Sequence, residues 1–547
     1  MDNISNRRLW WLLFVLAAIW FSNLEYRKLI KPDEGRYAEI PREMVVSGDW
    51  ITPRLNDLKY FEKPPLQYWA TAAAYTAFGE HQWTSRLWTG LTGLAGVLLV
   101  WFAGSRLFGR NAGNYAAILL SGTLWYALMG HLNTLDMGVT FFLTLGIVGL
   151  LLGQTESDPR KRRNWLFVAW AALGLAVLSK GLMGVVLPGS ALFIYAAVQR
   201  DFSVFKRMHW LSGLMVFLLI TAPWFYLVMK ANPEFFQRFF IYEHYLRFTT
   251  KVHDRYQPWY FFIPILVVGM LPWTLVMFDT LWHAWKGGAK APTVFSPVRF
   301  LLIWAAFIYV FFSMSGSKLP SYILPMFPAL ALLMGRQLIE TSSRRLFWLV
   351  APILPFTLLA LALSPFAARL ADTPLQVQLY SEYAVWLVAA SLVLLLGVIT
   401  ALVLLRQGRK PTAVMVLAFG FLIGAQLGTS GYNTIAKERS GYLVADAIRP
   451  YAKADVPIYS VANYEQTLPF YLKRTFTLVA YQDEMAFGIM QEPHRWIPDI
   501  PSFAKVWQAQ PAALAIMPVS IYPQLKKLDI AMKIIYEDSQ LIVVSKP

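Results

Sequence analysis

The sequence predicts an α-helical polytopic membrane protein with a C-terminal soluble α/β domain. Three observations carry that expectation. Of its 547 residues, 57% are hydrophobic and 16% aromatic, with 22 Trp, which lies outside the usual composition of soluble domains. Runs of roughly 18 or more mainly apolar residues recur, each long enough to cross a hydrocarbon core about 30 Å thick. Near residue 430 these runs stop, and short β-rich pieces take over.

The apolar runs lie near 9–29, 87–107, 115–132, 137–153, 165–180, 182–199, 210–229, 259–281, 300–315, 322–338, 345–364, 384–405 and 412–430, about thirteen spans in all. The first lacks a small-residue cleavage site and runs into a charged loop, so it reads as an uncleaved helix. Arg7-Arg8, Arg106/Arg110, Arg160 to Arg163, Arg200/Lys206/Arg207, Lys286/Lys290, Arg344-Arg345 and Arg406/Arg409/Lys410 fall in alternate loops. Basic residues mark cytoplasmic loops. The N-terminus is therefore expected in the cytoplasm. Loops 30–86, 230–258, 316–321 and 365–383, together with the tail, are expected on the outer side. The formal charge of +17 is explained by topology and attraction to anionic membrane lipid, and nothing supports a nucleic-acid partner.

The chain divides into a membrane domain at 1–430, carrying the outer loop 30–86, and a tail domain at 431–547. In the tail, Val456–Val461, Thr475–Ala480, Ala513–Met517 and Leu541–Val544 read as strands, and Ser502–Gln510 as a helix. That alternation predicts an α/β fold. No Gly-x-Gly-x-x-Gly fingerprint is present. The tail either serves the structure or helps to seat an acceptor. The chain has no cysteine and so no disulfide.

The outer loops hold the chemistry. Loop 30–86 carries Asp33, Glu34, Arg36, Tyr37, Glu39, Arg42 and Glu43, then Tyr60-Phe-Glu-Lys-Pro-Pro65. It is long for a connector. The plain alternative is a pair of interfacial helices with their charges in water. Asp136 starts one span and Lys180 ends another, where capping or snorkelling also accounts for them. Arg247 lies among aromatics, and Lys318 and Tyr322 sit in Ser315-Gly-Ser-Lys-Leu-Pro-Ser-Tyr322, whose glycine spacing is not that of a Walker loop. Cations at Lys63, Lys180, Arg247 and Lys318, with hydroxyls at Tyr37, Tyr60 and Tyr322, suit a phosphate at the membrane surface. The carboxylates in that basin suit an amine, a hydroxyl or a metal.

Several of these strings resemble the bacterial aminoarabinose transferases, lipid A glycosyltransferases related to the protein O-mannosyltransferases. They are Pro32-Asp-Glu-Gly-Arg-Tyr-Ala-Glu-Ile-Pro-Arg-Glu-Met44, Ser47-Gly-Asp-Trp50, Tyr60-Phe-Glu-Lys-Pro64, Ser179-Lys-Gly181, Glu243-His-Tyr-Leu-Arg-Phe248 and Lys318-Leu-Pro-Ser-Tyr-Ile-Leu324. The likeness runs in order through most of the membrane region and fades over the tail. It implies the GT-C fold, with juxtamembrane helices in the first outer loop and a periplasmic α/β domain. It also implies transfer of 4-amino-4-deoxy-L-arabinose from undecaprenyl phosphate to a lipid A phosphate, at the periplasmic face of the bacterial inner membrane. Gly35 departs from the small or polar residue often found in related sequences.

On that resemblance, Lys63 and Arg247, with Tyr37, Tyr60 and Tyr322, hold the donor phosphate, and Lys180 supports the same basin. Glu34 and Lys318 join the binding set. Asp33 positions the acceptor or the aminosugar, with Asp136 as partner carboxylate. No cofactor is required. Glu62 and His81 are a candidate start of a zinc or other divalent site, although two ligands do not complete one. The alternatives are a related transferase using another prenyl-phosphate sugar, with a protein or glycan acceptor, and a lipid transporter. A transporter tends to place its charges near the midplane, in broken helices, whereas here they gather at one face.

Overall fold

The computed structural model describes residues 6–246, 257–287 and 295–546. Among them, eight helices are long and apolar enough to cross a membrane, or nine if the bent pair Trp259–Gly269 and Thr274–Lys286 counts as one span. The remaining expected spans are helical but deviate for identifiable reasons. Trp11–Phe21 and Met183–Gln199 are short. The segment near 115–132 breaks into Arg110–Ser121 and Leu124–Met129. Pro159–Lys180 opens on four consecutive basic residues, Arg160 to Arg163.

Local chemistry fixes these helices. Pro159 starts its helix, and Asp158 caps it by accepting from the Arg160 N–H at 2.8 Å. This helix packs along Leu135–Thr155, where a Cβ on Gly149 would lie 2.8 Å from the Ala169 nitrogen. Small residues allow membrane helices such close approach.

The first loop is folded inward. Helix Asp33–Ser47 is buried from Glu34 to Met44 and ends at Gly48 with φ 73°. Its charged residues face protein partners, which differs from the interfacial alternative. It is followed by a two-stranded hairpin, β1 (Arg54–Leu55) and β2 (Leu58–Lys59). The hairpin turns at Asn56 and Asp57, with φ of 55° and 60°, the paired positive values that a tight two-residue hairpin needs. Glu43 accepts from both turn N–H groups, at 2.6 and 2.7 Å.

The C-terminal region forms a six-stranded sheet from β3 (Ile458–Val461), β4 (Thr477–Val479), β5 (Trp496–Ile497), β6 (Leu514–Pro518), β7 (Lys533–Glu537) and β8 (Leu541–Ser545). The order is β5-β4-β3-β6-β8-β7. The first four strands run parallel, and β8 pairs antiparallel with both β6 and β7. Strands β5 and β7 lie outside the sequence expectation. β5 is only two residues long, and β7 is half exposed at the sheet edge.

This sheet domain and the first loop share one core, in which Tyr37, Ile40, Met44, Leu58 and Tyr60 pack with Val444, Tyr464, Leu478 and Ile516. Polar ties close the seam. Asn56 donates to the Phe476 carbonyl at 2.8 Å and accepts from its N–H at 2.7 Å. Arg54 pairs with Glu492 at 2.9 Å, and Lys473 with Glu80 at 2.6 Å.

Candidate active site

The expected outer loops converge at one end of the helical bundle. Asn232 donates to Thr52 at 2.9 Å, and Lys59 pairs with Glu234 at 2.6 Å. At that end three clusters meet.

The first is an ionic knot. Glu34 accepts two hydrogen bonds from Arg27, at 2.6 and 2.8 Å, and two from Arg86, at 2.9 and 3.0 Å. The N–H groups of Ile30 and Asn133 also reach it, at 3.2 and 3.1 Å. Burial pushes the Glu34 carboxyl up, but Arg27 and Arg86 outweigh it and hold the carboxyl well below the ordinary range. A carboxylate so fully occupied fastens the helix start to the bundle. Glu34 was expected to bind substrate, and the structure instead gives both of its oxygens to the fold.

The second cluster surrounds Asp33, one residue away. The Asp33 carboxyl keeps 43% exposure and accepts from Arg36 at 3.0 Å. Arg36 also pairs with Glu484 of the sheet domain and lies over the Tyr60 ring, 5.8 Å from its centroid. Burial pulls the Arg36 guanidinium down, but Tyr60, Glu484 and Glu62 more than reverse it. Tyr37 lies 6.1 Å from Tyr68, ring to ring. Burial holds the Tyr37, Tyr60 and Tyr68 phenols well above their usual range, so they remain protonated donors. Lys63 is half-buried and donates to the Glu62 carbonyl at 3.0 Å.

The third cluster joins Asp136, Lys180 and Tyr322. The Lys180 ammonium pairs with Asp136 and lies 4.7 Å from the centre of the Tyr322 ring. Three residues singled out separately in the sequence therefore touch. Lys318 is nearby in sequence to Tyr322, and its ammonium donates to the carbonyls of Gln257 and Ser315, at 2.8 and 2.7 Å. Those contacts tie its turn to the segment at Gln257. Arg247 lies outside the described residues. The chain leading to it, Gln237–Leu246, is a π-helix.

Glu62 and His81 keep different company. Glu62 acts on Arg36, Tyr37, Tyr60 and Tyr68. His81 precedes helix Gln82–Phe108, its N–H donating to Thr84 at 2.9 Å, with its ring stacked near Trp83. Among the described residues, no three His, Asp or Glu side chains group as metal ligands.

Sequence reasoning left Arg36 and Glu484 out of the candidate set. The spacing of three between Asp33 and Arg36 on one helix is a usable signal. For Glu484 there is none, because only tertiary packing brings it there.

Comparison with known proteins agrees with this layout. Residues 62–227 match the dolichyl-phosphate-mannose-protein mannosyltransferase family, and residues 444–546 match the aminoarabinose transferase C-terminal domain. The undecaprenyl phosphate-alpha-4-amino-4-deoxy-L-arabinose arabinosyl transferase 2 of Pseudomonas fluorescens is 35% identical over 315 residues. That alignment spans 56% of this chain and only about half, 52%, of the relative. The crystal structure of ArnT from Cupriavidus metallidurans bound to undecaprenyl phosphate is similar throughout, with a TM-score of 0.94 and 38% identity over 99% of each chain. The Archaeoglobus fulgidus oligosaccharyltransferase, 12% identical with a TM-score of 0.53 over 95% of this chain and 71% of its own, shares the fold alone. Matched from end to end by one solved structure and in its tail by the family's own domain, this multi-pass membrane chain belongs to the aminoarabinose transferases of the GT-C fold.

Proposed function

We propose that this protein transfers 4-amino-4-deoxy-L-arabinose from undecaprenyl phosphate to a phosphate of lipid A, at the periplasmic face of the bacterial inner membrane. The observation that carries the reading is the half-exposed Asp33 carboxyl, held by Arg36, whose guanidinium lies over the Tyr60 ring. The names of the relatives supply the sugar and the lipid carrier.

In this reading an oxygen of the acceptor phosphate attacks the anomeric carbon of the sugar. The bond from that carbon to the donor phosphate breaks, and the leaving undecaprenyl phosphate keeps the electron pair. Lys63, Arg247, Tyr37, Tyr60 and Tyr322 neutralise the charge that grows on it. The acceptor phosphate is already anionic, so no strong base is needed. Asp33 positions the acceptor or pairs with the sugar ammonium. Asp136 fixes the Lys180 ammonium against Tyr322, a contact that supports a role for Lys180 at the edge of the phosphate basin. The reaction is assigned no metal step. Metal analysis of the purified protein before and after chelation tests the Glu62 and His81 pair, and stoichiometric metal that leaves with activity supports it.

The match of residues 62–227 to mannosyltransferases favours a second reading, another prenyl-phosphate sugar with a protein or glycan acceptor. Purified protein supplied with aminoarabinosyl and mannosyl undecaprenyl phosphates, each offered lipid A and a protein or glycan acceptor, separates the two. Product formed only from the aminoarabinosyl donor supports the first reading. Product formed only from the mannosyl donor rejects it.

A further inference from the structure

One short stretch of the sheet domain touches the first loop at two places. It runs through the turn Asp483–Met485 into helix Ala486–Gln491. Glu484 pairs with Arg36, which holds Asp33. Three residues on, the Phe487 ring lies 5.7 Å from that of Phe61, centre to centre, and the Arg238 guanidinium stands 5.0 Å from the centre of the same Phe487 ring. Gly488 sits close against the hairpin. A Cβ there would lie 2.8 Å from Leu58 Cβ and 2.9 Å from the Lys59 carbonyl oxygen. The helix is thus seated on β2, the strand that leads directly into Tyr60-Phe-Glu-Lys63.

Phe61 is the anchor of that string. It is 1% exposed, lies 5.2 Å from Phe235, ring to ring, and shares a cluster with Leu178, Trp224 and Phe239. Leu178 stands two residues before Lys180, so the cluster holds the chain beside two expected cations of the phosphate basin, Lys63 and Lys180. The membrane domain supplies all of its buried members. Among the described residues, Phe487 is what the sheet domain adds to it. Ring pairs at this separation attract with a preferred geometry, and a guanidinium over a ring adds to the hold. Packed interiors have little slack, so removing one wall lets the remaining side chains shift.

Tyr60 precedes Phe61 and carries its ring under the Arg36 guanidinium, and Lys63 follows by two residues. A shift at Phe61 therefore moves both. The plain alternative is that Phe487 only fastens the sheet domain to the membrane domain. That fastening has other sources, in the Asn56 bonds to Phe476 and the pairs Arg54–Glu492 and Lys473–Glu80. Loss of the Phe487 ring leaves those ties in place and removes the wall behind Phe61.

We propose that Phe487 is a positioning residue of the sheet domain that acts through Phe61 to set Tyr60 and Lys63 for the donor phosphate. This rests on the transferase reading and gives the C-terminal domain a second part in the site, separate from the hold of Glu484 on Arg36. The two contacts serve different ends. Glu484 acts on the side of Asp33, and Phe487 on the side that takes the phosphate of the lipid carrier. Small displacements of a group that holds a reactant are costly, so the ring matters beyond the stability it supplies.

Steady-state transfer from aminoarabinosyl undecaprenyl phosphate to lipid A is measured on the purified full-length chain and on Phe487→Ala, Phe487→Tyr and Asn56→Ala. Phe487→Ala is expected to raise the donor KM about tenfold or more while the lipid A KM stays within about twofold, since the acceptor is not held through Phe61. Phe487→Tyr keeps the ring and is expected to restore the donor KM. Asn56→Ala loosens the seam elsewhere and is expected to leave the donor KM as it is. An unchanged donor KM in Phe487→Ala, an equal rise in both KM values, no rescue by Phe487→Tyr, or the same donor effect in Asn56→Ala overturns the positioning role and leaves the transferase reading intact. No transfer by the unaltered chain overturns the transferase reading and the positioning role with it. If Phe487→Ala fails to accumulate, Phe487→Leu takes the same comparison.

Discussion

Arg36 links Asp33 to Glu484, a residue 448 positions away in the chain. Its guanidinium donates to Asp33 at 3.0 Å on one side and pairs with the sheet-domain carboxylate on the other. Glu484 is itself held by Gln466 at 2.8 Å. The C-terminal domain therefore helps to set the direction in which the Asp33 carboxyl points. Small displacements of a reacting or orienting group cost catalysis heavily. Glu484→Ala is expected to lower the turnover number about 10- to 100-fold with little change in donor KM, and Glu484→Gln to recover part of it. Steady-state kinetics on the two purified variants check this.

Acid should loosen the first loop through Glu34. Its carboxyl sits below its ordinary pKa of 4.5 in the fold, despite burial, because Arg27 and Arg86 outweigh the desolvation. A depressed carboxylate stabilises the fold above its unfolded pKa, and that contribution is lost as pH falls through the folded value. Thermal stability in detergent should hold from neutral pH to about 4.5 and decline below it. In Glu34→Gln that part of the decline should vanish. At pH 7 the same variant should be less stable by about 3–5 kcal/mol, because two buried guanidiniums lose their counter-charge.

Gly35 is a packing requirement. A Cβ there would lie 2.5 Å from the Gln466 carbonyl oxygen and 2.7 Å from the Thr467 nitrogen, both rigid backbone. Gly35→Ala should cost about 1–3 kcal/mol through overpacking. A lowered thermal midpoint, with reduced transfer, is the outcome to look for.

Asn56 tests how firmly the sheet domain is docked. Its side chain both gives to and takes from the Phe476 backbone, with φ at 55°. Asn56→Ala leaves buried backbone groups unpaired, at about 1–3 kcal/mol, and adds strain at a positive φ. Limited proteolysis should cut the C-terminal domain free faster than in the unaltered chain.

The membrane class was legible in the sequence because apolar runs of span length are hard to mistake. The parallel half of the sheet was legible because β3, β4 and β6 are short hydrophobic runs separated by helical stretches. Strand β5, with two residues, carries too little pattern to stand out. Asp136, Lys180 and Tyr322 were each noticed for a helix-end or turn position, but their contact depends on three separate chain segments meeting. Glu34 misled for the opposite reason. A carboxylate beside Asp33 looks available in sequence, and only the fold shows Arg27 and Arg86 closing on it. Glu484 reaches Arg36 only once distant segments pack.

Asp33 is the hinge of the functional reading, since it combines exposure at the site with a fixed orientation. The direct measurement is mass spectrometry of lipid A from a host that supplies the aminoarabinosyl donor but lacks its own transferase. The host carries either this chain or its Asp33→Asn variant, with both proteins verified in the membrane. A gain of one aminoarabinose with the unaltered chain, absent with Asp33→Asn, is the expected result. Unmodified lipid A with the unaltered chain, or equal modification by the variant, contradicts the assignment.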